Sequence, residues 1–304
     1  MKIPKSQITA FIKNALAEDI GSGDITTDSI VPEKALAQGT IVLEEDAVIA
    51  GLEIAAEVFR QLDKNVKFTS AYKDGAKALK GKVIAEISGK ARALLTGERT
   101  ALNILQRLSG IATRTNSFVN AVKGIDAKIV DTRKTMPNFR IFEKYAVLMG
   151  GGHNHRFGLY DAVLIKDNHI MVAGSIKKAV AMAKRNIPHT MTIEIETTNL
   201  KEVKEALTSG ADIIMLDNMS IPMMRNAVAM INKKAEVEAS GNINLKNVRD
   251  AALTGVDIIS IGALTHSYKA VQMSMEIKKR EKKMKSSSNR GALPILTRFA
   301  SREI

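Results

Sequence analysis

Six short apolar runs, each closing on a polar residue or a glycine, punctuate the chain from Ala127 onward. They are Ala127–Val130 before Asp131, Ala162–Ile165 before Lys166, and Met191–Ile195 around Glu194 with Glu196 next. Ile213–Leu216 before Asp217, Ala235–Ala239 before Ser240, and Ile258–Ile261 before Gly262 complete the series. From Glu196 to Asp217, Ser240 and Gly262 the closing residues recur about every 22 positions. A helical pattern follows each run, and short buried strands alternating with helices predict βαβ units around a parallel sheet. The even interval favours a barrel over an open, doubly wound sheet. In a barrel the residues at the C-terminal strand ends converge on one face, where active sites form.

The front of the chain reads differently. Ile8, Phe11, Ile12, Ala15 and Leu16 lie on one face of a helix over residues 3–20. A turn-rich stretch, Glu18 to Thr27, follows. Residues 38–50 and 82–95 read as strands on either side of a helix at Gly51–Leu62. Leu102, Ile104, Leu105 and Leu108 mark a long amphipathic helix beginning near Thr96. That start puts Arg99, in Gly97-Glu98-Arg99, in a first turn where the helix dipole disfavours a cation. A local rule broken in this way hints at function, although spacing alone makes Arg99 a surface residue. Beyond Leu264-Thr265-His266-Ser267 a further apolar helix is expected to about Ile277, and the segment after it reads as a frayed tail.

Composition narrows the class. The 304 residues suffice for one large or two smaller domains. Hydrophobic content of 45% and charged content of 25% are those of an ordinary globular protein. No apolar run is long enough to span a bilayer and Met1-Lys2-Ile3-Pro4 begins no signal peptide, so a cytoplasmic location is expected. With no cysteine, disulfides, thiolate metal sites and a Cys nucleophile are excluded. The formal charge of +13 is concentrated partly in Lys278–Lys285 and in scattered lysines. Aromatics are only 4% and Trp is absent, which leaves little to stack on bases. A small polyanionic ligand accounts for the internal cations better than nucleic acid does.

Those cations gather between Asp131 and Ile170. Arg133, Lys134, His153, His155, Arg156, Lys166 and His169 crowd two strand-like segments, with Gly150-Gly151-Gly152 between them. Lys and Arg are rarely buried unpaired, so an anionic partner is implied over a solvated basic loop. His153-x-His155 has the spacing of a barrel hydrolase metal pair. Arg156, Lys134 and Lys166 would repel a divalent cation there, and hydrogen bonding of His155 to an anionic substrate is favoured. Glu194 and Glu196 project to one face of their strand. With Asp217, they can hold Mg²⁺, bind ribose hydroxyls, stabilise positive charge on a sugar carbon, or simply pair with Lys166 or Lys134. Ser240-Gly241-Asn242-Ile243 and Ile261-Gly262-Ala263 are strand-to-glycine turns on the last two strands, where barrel phosphate sites lie.

These residues sit in longer segments that resemble the quinolinate phosphoribosyltransferase family. The segments include EDIGSGDITT, LLTGERTALNILQRLSGIAT, DTRKTMPNFR, EKYAVLMGGGHNHRFGLYDAVLIKDNHI, IEIET, IMLDNM, EASGNI and ISIGALTHS, and the resemblance covers about residues 10–277. It implies an α/β fold with an N-terminal α/β sandwich domain and a C-terminal incomplete TIM-like α/β barrel. The expected boundaries are residues 1–112 for the sandwich, with a helix 268–284 packing back on it, 113–267 for the barrel, and 285–304 for a flexible basic tail. The implied reaction joins quinolinate to phosphoribosyl pyrophosphate with Mg²⁺, releasing pyrophosphate and carbon dioxide to give nicotinate mononucleotide for NAD biosynthesis. By motif, Arg133, His155 and Arg156, with Thr132 beside them, would bind the quinolinate carboxylates. Arg99 would reach in from a neighbouring subunit of a homodimer or larger homo-oligomer. Lys134 and Lys166 would neutralise substrate charge, and Glu196 and Asp217 would serve as catalytic carboxylates and metal ligands. Ser240, Gly241, Asn242, Gly262 and Ala263 would cradle the 5′-phosphate. Asn242 stands where many family members have a second glycine. A paralogue with altered substrate is the competing reading, and the intact TRK, HxHR and paired-carboxylate motifs argue against it.

Overall fold

A computed structural model describes residues 2–279. The expected tail 285–304 lies outside them. The chain opens with α1 (Lys5–Ile20) and the short α2 (Ile25–Ile30), whose first turn is capped by the Asp24 carboxylate accepting the Thr27 N–H. There follow β1 (Leu36–Leu43), β2 (Ala47–Val48), α3 (Leu52–Leu62), β3 (Lys67–Thr69), β4 (Lys77–Ala78) and β5 (Val83–Lys90). Then comes α4 (Ala91–Ala121), whose 31 residues make a rod about 46 Å long. It starts at Ala91, ahead of the expected Thr96, because Ala91-Arg92-Ala93-Leu94-Leu95 are strong helix formers. Arg99 therefore sits in the third turn, beyond the reach of the terminal dipole, and is exposed.

The second half runs β6 (Lys128–Val130), α5 (Arg140–Met149), β7 (Val163–Ile165), α6 (Asp167–Ala173), α7 (Ile176–Asn186), β8 (Ile193–Thr197) and α8 (Leu200–Ser209). It continues through β9 (Ile213–Asp217), α9 (Ile221–Ile231), β10 (Glu236–Ser240), α10 (Val248–Ala252), β11 (Ile258–Ser260) and α11 (Ala263–His266) to β12 (Met273–Lys279). The six apolar runs become the six parallel strands β6 to β11, in the order β6-β11-β10-β9-β8-β7. First and last strands are neighbours, so the sheet curls round. A parallel bridge between Val130 and His153 adds a further short segment on the open side of β6. This is an incomplete barrel, as the strand spacing predicts.

The N-terminal sheet is antiparallel, in the order β12-β1-β5-β3. Its outer strand comes from the far end of the chain, where a helix was expected over 268–284. The observed β12 pairs with β1 from Leu43 opposite Met273 to Ala37 opposite Lys279. In Met273-Ser274-Met275-Glu276-Ile277-Lys278 apolar and polar residues alternate, which is the period of a strand, and Met273, Met275 and Ile277 join the core. Pairing also satisfies backbone groups that β1 would otherwise leave open along its edge.

One continuous core joins the halves, and α4 runs through it. Its first turns pack on α1, α3 and the antiparallel sheet, and its last turns on α5 and β6. At the junction Phe11 of α1 packs against Phe139 and Phe142 with ring centroids 5.2 and 4.7 Å away. Arg107 lies over the Phe139 and Tyr268 rings while donating to the buried Glu143. Among the described residues no helix is long and apolar enough to cross a membrane.

Gly110, midway along α4, carries the segment leading into β12 across its surface. A Cβ there would collide with the Lys269 carbonyl oxygen and lie 3.1 Å from Ala270 Cα. The obstacle is backbone and not a flexible side chain, so Gly110→Ala is expected to lower stability by about 2–3 kcal/mol. Chemical denaturation of the two proteins tests this; an unchanged midpoint would mean that the returning segment is free to move aside.

Candidate active site

At the C-terminal ends of the barrel strands a cavity of about 910 Å³ opens. Thr132, Arg133, Lys134, His155, Arg156, Lys166, Glu196, Asp217, Ser240, Gly241, Asn242, Gly262 and Ala263 all line it. Every site residue expected in the barrel is thus brought together, from six strand ends and the segment that follows the His153 bridge. Arg99 alone lies elsewhere, on α4. A smaller hollow of about 560 Å³ lies at the opposite end of the barrel, near Asn232 and Asp257, and contains none of these side chains.

The cationic side of the cavity is held by a buried scaffold. Asp131, at the end of β6, is fully buried and pairs with the fully buried Lys144 of α5. Its carboxylate also accepts from Asn154 Nδ2 at 2.6 Å and from the His155 backbone N–H at 2.9 Å. Lys144 donates in addition to the His155 carbonyl at 2.9 Å. Burial pushes the Asp131 carboxyl up and the Lys144 ammonium down from their ordinary values, and each charge opposes the other's shift. Arg140 joins the same loops by donating to Thr135 Oγ1 and to the Phe157 carbonyl. The glycines expected to accompany the basic cluster are used for packing: a Cβ at Gly150 or Gly152 would strike Thr115 on α4. His153 contributes its backbone to β6 while its side chain is exposed and absent from the cavity lining, so no His153–His155 metal pair forms. His169 likewise turns away, accepting the Lys166 backbone N–H at 2.9 Å.

On and beside that scaffold stand the cavity's cations. Arg133 is half-buried, and its Nε is buried without a partner among the described residues. Arg156 donates to the Ala162 carbonyl at 3.0 Å. Burial, and after it the neighbouring Arg133, lower the Arg156 pKa. Two like charges held this close call for an anion between them. Lys134 is exposed and lies over Gly262. Lys166 pairs with Glu196 across β7 and β8.

The opposite wall carries carboxylates and side-chain-free turns. Asp217 accepts from Asn218 Nδ2 at 2.7 Å, and Asn218 in turn accepts from Asn242 Nδ2 at 2.9 Å. Gly241 has φ +82°, and a Cβ there would approach the Asn218 backbone N to 2.9 Å. Only glycine fits that turn. A Cβ on Gly262 would project against Lys134 and His266. Two adjacent strand ends therefore present bare backbone to the cavity, which suits a phosphate.

Beneath the arginines lies a feature that motif reasoning missed. Glu194 and Glu238 are 4% and 1% exposed and meet His155 Nε2 at 3.1 and 3.4 Å. Burial raises the Glu194 pKa. Burial disfavours the imidazolium, and on a ring free to take a second proton the two carboxylates would outweigh it and lift His155 to about 10. The Arg156 backbone N–H, however, donates to His155 Nδ1 at 2.8 Å, which requires that nitrogen to be bare. The chain fixes that donor, so the ring's proton is assigned to Nε2. Glu238 was detectable as a charge in the otherwise apolar run Val237–Ala239, two residues before the closing Ser240 as Glu194 is two before Glu196. Lys144, Asn154, Asn218 and His266 carried no comparable signal, since their roles depend on distant loops.

Residues 24–109 match the family model "Quinolinate phosphoribosyl transferase, N-terminal domain", and residues 111–276 match its C-terminal domain. The chain is 44% identical to a probable nicotinate-nucleotide pyrophosphorylase [carboxylating] of Bacillus subtilis, over 89% of this chain and 93% of that one. It is 43% identical to the protein of that description from Methanocaldococcus jannaschii, over 90% and 98%. The crystal structure of NadC from Streptococcus pyogenes superposes with a TM-score of 0.89 at 41% identity, covering 92% of this chain and 100% of that one.

The Asp131–Lys144 pair sets up a direct test. Lys144→Met removes one partner and strands a buried carboxylate, which is expected to cost about 3–5 kcal/mol. Denaturant unfolding should register that loss, whereas Lys184→Met, at an exposed lysine on α7, should stay within about 0.5 kcal/mol. Equal effects would remove the pair's special standing.

Proposed function

The chain belongs to the quinolinate phosphoribosyltransferase family, and we propose that its barrel mouth carries out that family's reaction with Arg133, Arg156, Lys134, Lys166, Glu196 and Asp217 as the working side chains. The enzyme transfers the phosphoribosyl group of phosphoribosyl pyrophosphate to quinolinate with decarboxylation, in NAD biosynthesis. The observation that carries the residue assignment is the layout of the cavity: arginines with no carboxylate partner among the described residues on one wall, two carboxylates opposite, and two bare glycine turns beside them.

Quinolinate is a planar dianion, and guanidinium groups pair with carboxylates bidentately. Arg133 and Arg156, with Thr132 in the same wall, take its two carboxylates, while the His155 ring stays on Glu194 and Glu238. The turns at Ser240–Asn242 and Gly262–Ala263 take the 5′-phosphate. Glu196 and Asp217, on adjacent strands between these two sites, face the ribose. Bound so, two mutually repelling anions are held with the pyridine nitrogen facing C1 of the ribose, and much of the barrier is met by that positioning. The nitrogen's lone pair forms the new bond to C1 as the bond from C1 to pyrophosphate breaks. Positive charge building on the sugar is steadied by Glu196 and Asp217, and the departing negative charge by Lys134 and Lys166. The quaternised ring then accepts the electron pair left as the adjacent carboxylate departs as carbon dioxide, and a proton takes its place.

Mg²⁺ is part of the proposal. Glu196 gives one oxygen to Lys166 and Asp217 gives one to Asn218; among the described residues no protein donor meets the other oxygen of either. Two hard oxygen donors with spare capacity suit Mg²⁺, which is commonly held by one or two carboxylates plus substrate phosphates. When bound, it would offset charge on the leaving pyrophosphate. A tighter three-donor set in the cavity is His155 with Glu194 and Glu238, but the bare Nδ1 counts against it, because a histidine ligating through Nε2 keeps its proton on Nδ1.

Arg99 enters from a second copy. It is exposed on α4 beside α2, where Ile25 and Ile30 are 81% and 74% exposed, and Met171 and Val172 are similarly bare on the helix after Lys166. Apolar surfaces on the sandwich and at the barrel mouth are what a two-fold pairing would cover. A cytoplasmic location belongs to the same reading.

Carbon dioxide release from carboxyl-labelled quinolinate should require both phosphoribosyl pyrophosphate and Mg²⁺; release without either would overturn the reaction. Arg133→Ala should lose about 3 kcal/mol of transition-state stabilisation, more than a hundredfold in kcat/KM. Arg99→Ala and Glu196→Gln should each be inactive alone, yet recover about a quarter of the activity when their subunits are mixed and exchanged. No recovery in verified hybrids would place Arg99 outside the neighbouring site.

A further inference from the structure

Two buried carboxylates under an anion site are the opposite of what the anion needs, so Glu194 and Glu238 call for a reason. Each turns one oxygen to His155 Nε2 and leaves the other buried without a partner. A metal site would explain the cluster, but the Arg156 N–H on Nδ1 leaves the ring proton on Nε2, facing the two carboxylates. That same fact removes the ring as a donor to substrate, since both of its nitrogens are already engaged. The His155 backbone is engaged as well: its N–H goes to Asp131 and its carbonyl to Lys144. A residue held on every polar atom serves as a fixed point for its neighbour in the chain.

That neighbour is Arg156. Its guanidinium is anchored by one hydrogen bond to the Ala162 carbonyl and stands against the like charge of Arg133. We propose that Glu238 and Glu194 are positioning residues that act through His155, clamping the imidazole so that the chain delivers Arg156 into the quinolinate subsite beside Arg133. The quinolinate carboxylates then fall to the two arginines, and the buried carboxylates offset the repulsion that would otherwise drive those arginines apart. This inference rests on the quinolinate reading of the cavity.

The test uses the full chain with Glu238→Gln and Glu238→Leu. Glutamine keeps an acceptor oxygen for Nε2–H and leucine does not. The leucine variant should raise KM for quinolinate at least about tenfold while KM for phosphoribosyl pyrophosphate moves less than about twofold, and glutamine should recover most of the loss. A folded leucine variant with wild-type KM for quinolinate overturns the proposal, as does an equal rise in both KM values or a glutamine variant no better than leucine. Should the leucine protein fail to fold, the glutamine variant and the wild type decide. Nitrogen-15 spectra of wild-type His155 should show a bare Nδ1 and a protonated Nε2 with and without quinolinate; a protonated Nδ1, or loss of the Nε2 proton signal on binding, overturns the clamp. Absence of turnover by the wild type itself would instead reject the quinolinate reading.

Discussion

A carboxylate buried at the end of one strand and an ammonium buried on the next helix hold the working half of this barrel in place. Asp131 and Lys144 are a costly pair to desolvate, and their attraction alone does not offset that cost. The pair is sustained because each partner is saturated by the loop it organises: Asn154 and the backbone of His155 close on the same two groups. The strand end therefore carries two consecutive cationic segments at once, Thr132–Lys134 directly and His155–Arg156 through the pair. Without that tie the arginines would be side chains on independent loops, free to separate by mutual repulsion.

Charge in the cavity is arranged in layers. At the bottom lie Glu194 and Glu238, then His155, then the arginines, and across from them Glu196 with Lys166 and Asp217 with its asparagine chain. Each unit charge has an opposite or polar neighbour inside the protein, with the exception of the groups that face the open volume. A dianion and a pyrophosphate ester are the missing terms in that balance. On the proposed reading the preorganisation is the catalytic device, because dipoles and charges set beforehand need not reorganise as the sugar carbon turns positive.

Much of this was legible in the residue pattern, and the reasons for the failures are specific. Strand existence was readable because a buried parallel strand is a mostly apolar run, and its polar terminator marks the face that becomes the site. Lys166, Glu196, Asp217, Ser240 and Gly262 were found that way. The start of α4 was misread because Ile84, Ala85, Ile87 and then Ala91, Ala93 and Leu94 are all buried, which blurs the change of period between β5 and the helix. For β12 the alternation was present, but a partner more than 220 residues away in the chain decided the outcome. Glu238 was overlooked because a charge inside a strand reads as a surface residue until the barrel closes around it. The pairing of Asp131 with Lys144 has no local signature.

The return of the chain to its own beginning also bears on how the protein is made. The edge of β1 is completed by residues 273–279, and the barrel strands lie entirely between those two segments in sequence. During synthesis the sandwich emerges first with an open edge, and stays so until the barrel has left the ribosome. An unpaired edge is a template for wrong partners, so this protein has a window of vulnerability set by the time needed to translate its catalytic half. The order of assembly runs opposite to the order of the chain: the first domain to appear is the last that can be finished.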